Sequence, residues 1–147
     1  MKILFDTNIV LDVLLDRKPF SDLATILFSW AEEKIISGFL GATTVTTIFY
    51  LATKVVGKKQ AKESISKLLT IFTIAPVNGS VLEASLKSKF SDFEDAVLYQ
   101  AACHSDVQGI VTRDVAGFKN STIAVYSPDE LVKMIQALKK DSQRTIN

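Results

Sequence analysis

The sequence predicts an α/β domain: a largely parallel sheet covered by helices on both faces. Short β-type apolar runs alternate along the chain with longer stretches whose apolar residues recur at helical spacing. Such alternation needs crossover connections, and crossovers make neighbouring strands parallel. The 147 residues are a single-domain length, and 48% apolar with 22% charged residues is ordinary globular usage, which excludes disorder.

Residues 2–5 form the first apolar run, which meets Asp6-Thr7-Asn8, residue types that start helices. Leu23, Ile26, Leu27, Trp30 and Ala31 form a helical stripe behind the start signal Pro19-Phe20-Ser21-Asp22, and Gly38 lies beyond its far end. Val45, Ile48, Phe49, Ala52, Val55 and Val56 make another stripe, closed by Gly57. Ala61, Ile65, Leu68 and Leu69 make a fourth. Residues 71–77, 110–112 and 122–126 read as strands. Ser91-Asp92-Phe93-Glu94 and Ser127-Pro128-Asp129-Glu130 match the Ser-x-x-Glu capping box. Helices are therefore expected to begin at Ser91 and Ser127, with Glu94 returning to Ser91. No internal repeat or linker is evident. One domain over residues 1–139 is expected, with residues 140–147 a flexible tail.

Seventeen Lys and Arg against sixteen Asp and Glu give a formal net charge of +1, so a nucleic acid must be held by a local patch. The single Cys103 and single His104 exclude an intrachain disulfide and a Cys/His zinc cluster, and both are read as structural. The opening apolar run is too short for a signal segment, and no later stretch approaches a membrane span, so a cytoplasmic location without membrane partners is expected.

In parallel sheets function gathers outside the carboxyl ends of the strands. Asp6 and Asp114 both follow strand-like runs, and Asp95 lies in the first turns of the helix begun near Ser91. All three can face one crevice. Clustered carboxylates repel, and oxygen-only sets of this kind suit a hard divalent cation, magnesium or manganese. Taken singly, each aspartate is better explained as a helix cap or a solvated charge than as a ligand; the joint pattern is what points to a metal.

From Lys2 to about Met134 the chain resembles the PIN-domain ribonucleases, which include many toxins of bacterial toxin–antitoxin pairs. The resemblance rests on Ile3-Leu4-Phe5-Asp6-Thr7-Asn8, on Asp92-Phe93-Glu94-Asp95-Ala96 followed by Ala101-Ala102, and on Ile110-Val111-Thr112-Arg113-Asp114 followed by Phe118. It implies a PIN-like three-layer α/β/α fold whose first and fourth strands are adjacent. It also implies Asp6, Asp95 and Asp114 as catalytic metal ligands for Mg2+ or Mn2+, and Thr7, Asn8 and Thr112 as residues steadying them. The activity implied is metal-dependent endoribonuclease cleavage of RNA leaving 5′-phosphate and 3′-hydroxyl ends, with an antitoxin and a homodimer as partners.

One departure stands out: where the family commonly places a glutamate after the second strand, this chain has Thr47, a poorer metal ligand. Asp92, one turn before Asp95, could add a carboxylate or serve the helix dipole alone. Asp12 and Asp16 are read as a solvated helix face. Lys54, Lys58 and Lys62 recur every four residues and are expected either to follow an RNA backbone or to form a solvated polar face. The alternative reading of the whole chain is a PIN-fold nucleic-acid-binding or protein-interaction module with weakened catalysis. A glycine-rich nucleotide-binding turn is missing after the first strand, which excludes a Rossmann site.

Overall fold

The computed structural model describes residues 1–146. Strand β1 (Lys2–Phe5) is the middle of a sheet in which every pairing is parallel. On one side lie β2 (Ser37–Gly41) and β3 (Thr73–Ala75); on the other lie β4 (Gly109–Val111) and β5 (Ala124–Tyr126). The order is β3-β2-β1-β4-β5, so the winding reverses between β1 and β4. At such a switch point the connections leave in opposite directions and open a crevice at the strands' carboxyl ends. The register pairs Ile3 with Gly109 and Phe5 with Val111, which puts the residues following Phe5 and Val111 side by side.

Among the described residues seven helices cover the sheet: α1 (Thr7–Leu14), α2 (Ser21–Glu32), α3 (Ala42–Val56), α4 (Lys58–Ile71), α5 (Gly79–Lys87), α6 (Phe93–His104) and α7 (Pro128–Ile146). Side chains alternate along each strand, so Ile3, Phe5, Leu40 and Val111 enter one core with residues of α1 to α4 and α7. Leu4, Phe39 and Ile110 enter the other, with α5, α6 and Phe118. Both faces are buried, which is why the strands read as continuous apolar runs. The three-layer α/β/α architecture and the β1–β4 adjacency are those expected from the sequence.

Several local expectations are corrected. β2 and α5 carry no counterpart among the elements assigned from periodicity. The sixth helix is capped by Asp92, whose Oδ1 accepts from the Asp95 amide at 2.9 Å, and not by Ser91. Asp92 accepts at the third amide after it without needing a box, so Glu94 is released from the role of returning to Ser91. Ser127 does cap α7, accepting from the Glu130 amide at 3.2 Å. Helix α7 continues to Ile146, so residues 140–146, expected as a loose tail, are helical; Asn147 lies outside the described residues. Among the described residues no helix is long and apolar enough to cross a membrane.

Candidate active site

Asp6 ends β1 and caps α1. Its Oδ1 accepts from the Thr7 amide at 2.7 Å, and its Oδ2 accepts from the Thr112 hydroxyl at 2.8 Å and from Asn8 Nδ2 at 3.5 Å. Thr112 is fully buried and links the two strand ends: its Oγ1 donates to Asp6 and accepts from the Asp114 amide at 3.0 Å. Thr7, Asn8 and Thr112 thus all bond the Asp6 carboxylate, and Thr112 also bonds the Asp114 amide. Thr7 also donates to Thr44 Oγ1 at 3.1 Å, which ties α3 to the crevice through a buried hydroxyl that periodicity alone did not single out.

Asp114 follows β4 and caps a single 3-10 turn over Val115–Phe118, its Oδ1 accepting from the Gly117 amide at 3.2 Å. Asp95 reaches the same place from α6. A Cβ built on Gly117 would stand 2.7 Å from Asp114 Oδ2 and 2.9 Å from Asp95 Oδ2. The two carboxylates thus flank one methyl-sized space, and Gly117 is a site residue that the sequence reading missed. Its only signal was its place three residues after Asp114.

The electrostatics agree with this geometry. Burial, then the charges of Asp6, Asp92, Asp114 and Glu94, push Asp95 up to about 7. Asp6 is also raised, by burial against the lowering effect of Thr112 and the Thr7 amide, with Glu94 and Asp114 adding repulsion. The charged groups acting on both are all carboxylates. Glu94, exposed at the start of α6, belongs to this negative field, and so does Asp92, although Asp92 already spends one oxygen on its cap. Among the described residues no three acidic, cysteine or histidine side chains stand close enough together to hold a metal ion by themselves. The donor set, hard oxygens only, with Oδ2 of both Asp95 and Asp114 facing a small gap, fits magnesium or manganese.

Asp12 overturns its reading as a solvated residue. It is fully buried, accepting from Arg17 Nε at 2.9 Å and from Arg113 Nε at 2.7 Å and Nη2 at 3.2 Å. Arg113 lies 101 residues away in sequence, beyond any local pattern. Asp16 is exposed and stands just after α1, not on it. Thr47 lies half-buried one turn beyond Thr44 on α3 and donates to its own helix, at Thr43 O, 3.1 Å away.

The lysines do not form a straight stripe. The chain breaks at Gly57 (φ 85°), so Lys54 stands in the last turn of α3, Lys58 begins α4, and Lys62 lines a shallow groove with Val45, Thr46 and Phe49 of α3. Lys54 sits over the Tyr50 ring at 4.2 Å. Ten residues of helix separate it from Thr44, about 15 Å along the axis. Cys103 and His104 sit at the end of α6, the His104 ring bonded to Gln100 O.

Fold and site together define a parallel α/β domain with an acidic crevice at its switch point. A family model of the PIN domain matches residues 2–116, and the chain belongs to the PIN-domain family, a family of nucleases. No curated protein sequence matches it closely. Among solved structures it is similar to a toxin–antitoxin complex from Klebsiella pneumoniae, at 22% identity and TM-score 0.65 over 86% of this chain and 97% of that one. FitAcB from Neisseria gonorrhoeae gives 20% identity and TM-score 0.66 over 86% and 97%. VapC20 from Mycobacterium tuberculosis, a toxin that cleaves the sarcin–ricin loop, gives 14% and 0.60 over 74% and 86%. At these identities the likeness is one of fold.

Proposed function

We propose that this chain is a magnesium- or manganese-dependent endoribonuclease of toxin type, hydrolysing RNA phosphodiester bonds, with Asp6, Asp95 and Asp114 as metal ligands. The observation that carries the reading is the pair of carboxylates, Asp95 and Asp114, flanking one small space at the switch point, with only carboxylates among the charges acting on Asp95 and Asp6. Arg113, the nearest candidate counter-charge in sequence, is spent on Asp12. A divalent cation bound there would neutralise the phosphodiester and lower the pKa of the attacking water. The chain's own groups do the positioning. Thr112 and the Thr7 amide fix the Asp6 carboxylate, and the Gly117 amide orients Asp114. No protein nucleophile is required. VapC20 and the Klebsiella complex support RNA as the substrate and an antitoxin as partner; a homodimer belongs to the same reading.

The alternative, an interaction module with weakened catalysis, is favoured by Thr47, whose hydroxyl turns to its own backbone and offers the site no charge. Metal titration with mixed RNA substrates separates the two. Cleavage is expected with Mg2+ or Mn2+ and is lost in EDTA. Asp6→Asn, Asp95→Asn and Asp114→Asn should each cost about 100-fold or more. Robust cleavage in EDTA, or by Asp95→Asn, overturns the proposal.

A further inference from the structure

Beside the acidic crevice lies a groove of about 290 Å³, walled by Pro19, Phe20 and Leu23 before and within α2, by Arg113, and by Ser127 and Asp129 at the start of α7. Phe20 is 43% exposed, a large aromatic left in water. The Arg113 guanidinium lies over its ring, 3.9 Å from the centroid. Two hydrogen bonds to buried Asp12 hold that guanidinium, and the Arg113 amide reaches Asn8 Oδ1 at 3.5 Å. The guanidinium half of the pair is therefore held in place, and Arg113 is next to Asp114 in the chain.

We propose that Phe20 and Arg113 form a stacking subsite for one unpaired nucleobase of the RNA strand, next to the phosphate held at the aspartates; the identity of the strand rests on the nuclease reading. Bases in single-stranded RNA stack on aromatic rings and guanidinium planes. The groove's volume is at the small end for ligand pockets, which suits a single base. Its rim also offers a polar group suited to a base edge. The Asp129 carboxylate at the rim, paired through Oδ2 with Lys133 at 2.9 Å, keeps Oδ1 to accept from amino or imino N–H groups of a base edge.

The probe is a set of single-stranded hexaribonucleotides, each carrying one 2-aminopurine, titrated against the whole protein in EDTA so that no strand is cut. Quenching of the probe is expected with the native protein and with Phe20→Trp. Phe20→Leu, which keeps apolar volume and removes the ring, should weaken binding by about 5- to 100-fold, the range of one stacked base, at an unchanged melting temperature. With Mg2+ present, an abasic nucleotide beside the cleaved bond should cost the native protein a similar factor and Phe20→Leu nothing further. Phe20→Leu behaving as native, or its loss multiplying with the abasic loss, overturns the subsite, as does absence of binding. Cleavage that ignores Phe20 removes the subsite and leaves the nuclease reading. Phe20-dependent binding without cleavage under any divalent metal does the reverse.

Discussion

Asp6 and Asp12 are six residues apart, both at the first helix and both shielded from water, and their surroundings are opposite. Asp12 has two guanidiniums against it. Asp6 has hydroxyls, amides and other carboxylates. A buried acid with fixed counter-charges is a finished structural unit, and removing one partner leaves uncompensated charge. A buried acid among acids is unfinished, and the missing charge has to come from outside the chain. What marks the site is the missing counter-charge, since burial is common to both.

The comparison can be broken most forcefully at Asp12. Asp12→Ala leaves two partly exposed guanidiniums without their partner, a loss of about 2–3 kcal/mol, or about 6 °C in a domain of this size. Thermal melts check this, and a fall of only a degree or two would mean the cluster is ordinary surface charge. The same variant frees Arg113 to approach the aspartates, so residual activity should need more metal.

The second effect is one of pH. Without metal, Asp95 in the folded protein titrates near 7, against an ordinary value of 3.8, and Asp6 moves the same way. Between those values the folded chain binds more protons than the unfolded one, so stability falls as pH rises through the window. The metal-free protein should melt higher at pH 5 than at pH 8, and saturating Mg2+ should narrow the gap. Asp95→Asn should remove most of the slope. A paired acid would give the opposite sign.

A smaller change sharpens the contrast at Thr47. Thr47→Glu adds a charged oxygen one turn from Thr44 and should lower the metal concentration for half-maximal cleavage roughly tenfold. In EDTA the same protein should melt slightly lower than the native one, because one more negative charge joins the field. Calorimetric metal titration and paired melts read both. No change in either would place position 47 outside the crevice. The smallest effect is expected at Lys54, Lys58 and Lys62, which the break at Gly57 sets apart. Their joint replacement by Gln should reduce the slope of log affinity against log salt by at most about 2.

The elements that carry the aspartates were legible because their signals are local. An apolar run ending in Asp-Thr-Asn marks β1 and its turn, and the run before Asp114 marks β4. β2 was hidden by its composition. Ser37-Gly38-Phe39-Leu40-Gly41 lacks β-branched residues because the fold leaves no room for them: a Cβ on Gly38 would meet the Phe72 ring at 2.6 Å, and one on Gly41 would meet Leu98 at the same distance. Ser91 and Asp92 are both good caps, and sequence could not say which amide row begins where; the structure gives it to Asp92. The deciding partner of Asp12, Arg113, lies just past the neighbouring strand β4 but 101 residues away in sequence, beyond the reach of any local pattern.

Gly117 carries an evolutionary consequence. A methyl there would collide with the outer oxygens of Asp95 and Asp114, which are side-chain ends that can swing away, so the strain would fall on the crevice and spare the core. Glycine and alanine codons differ by a single base. One transversion at that codon would therefore leave a folded protein whose carboxylates are splayed by an internal plug. A lineage under pressure to disarm such a protein, while keeping it available to whatever binds its surface, has that route one nucleotide away.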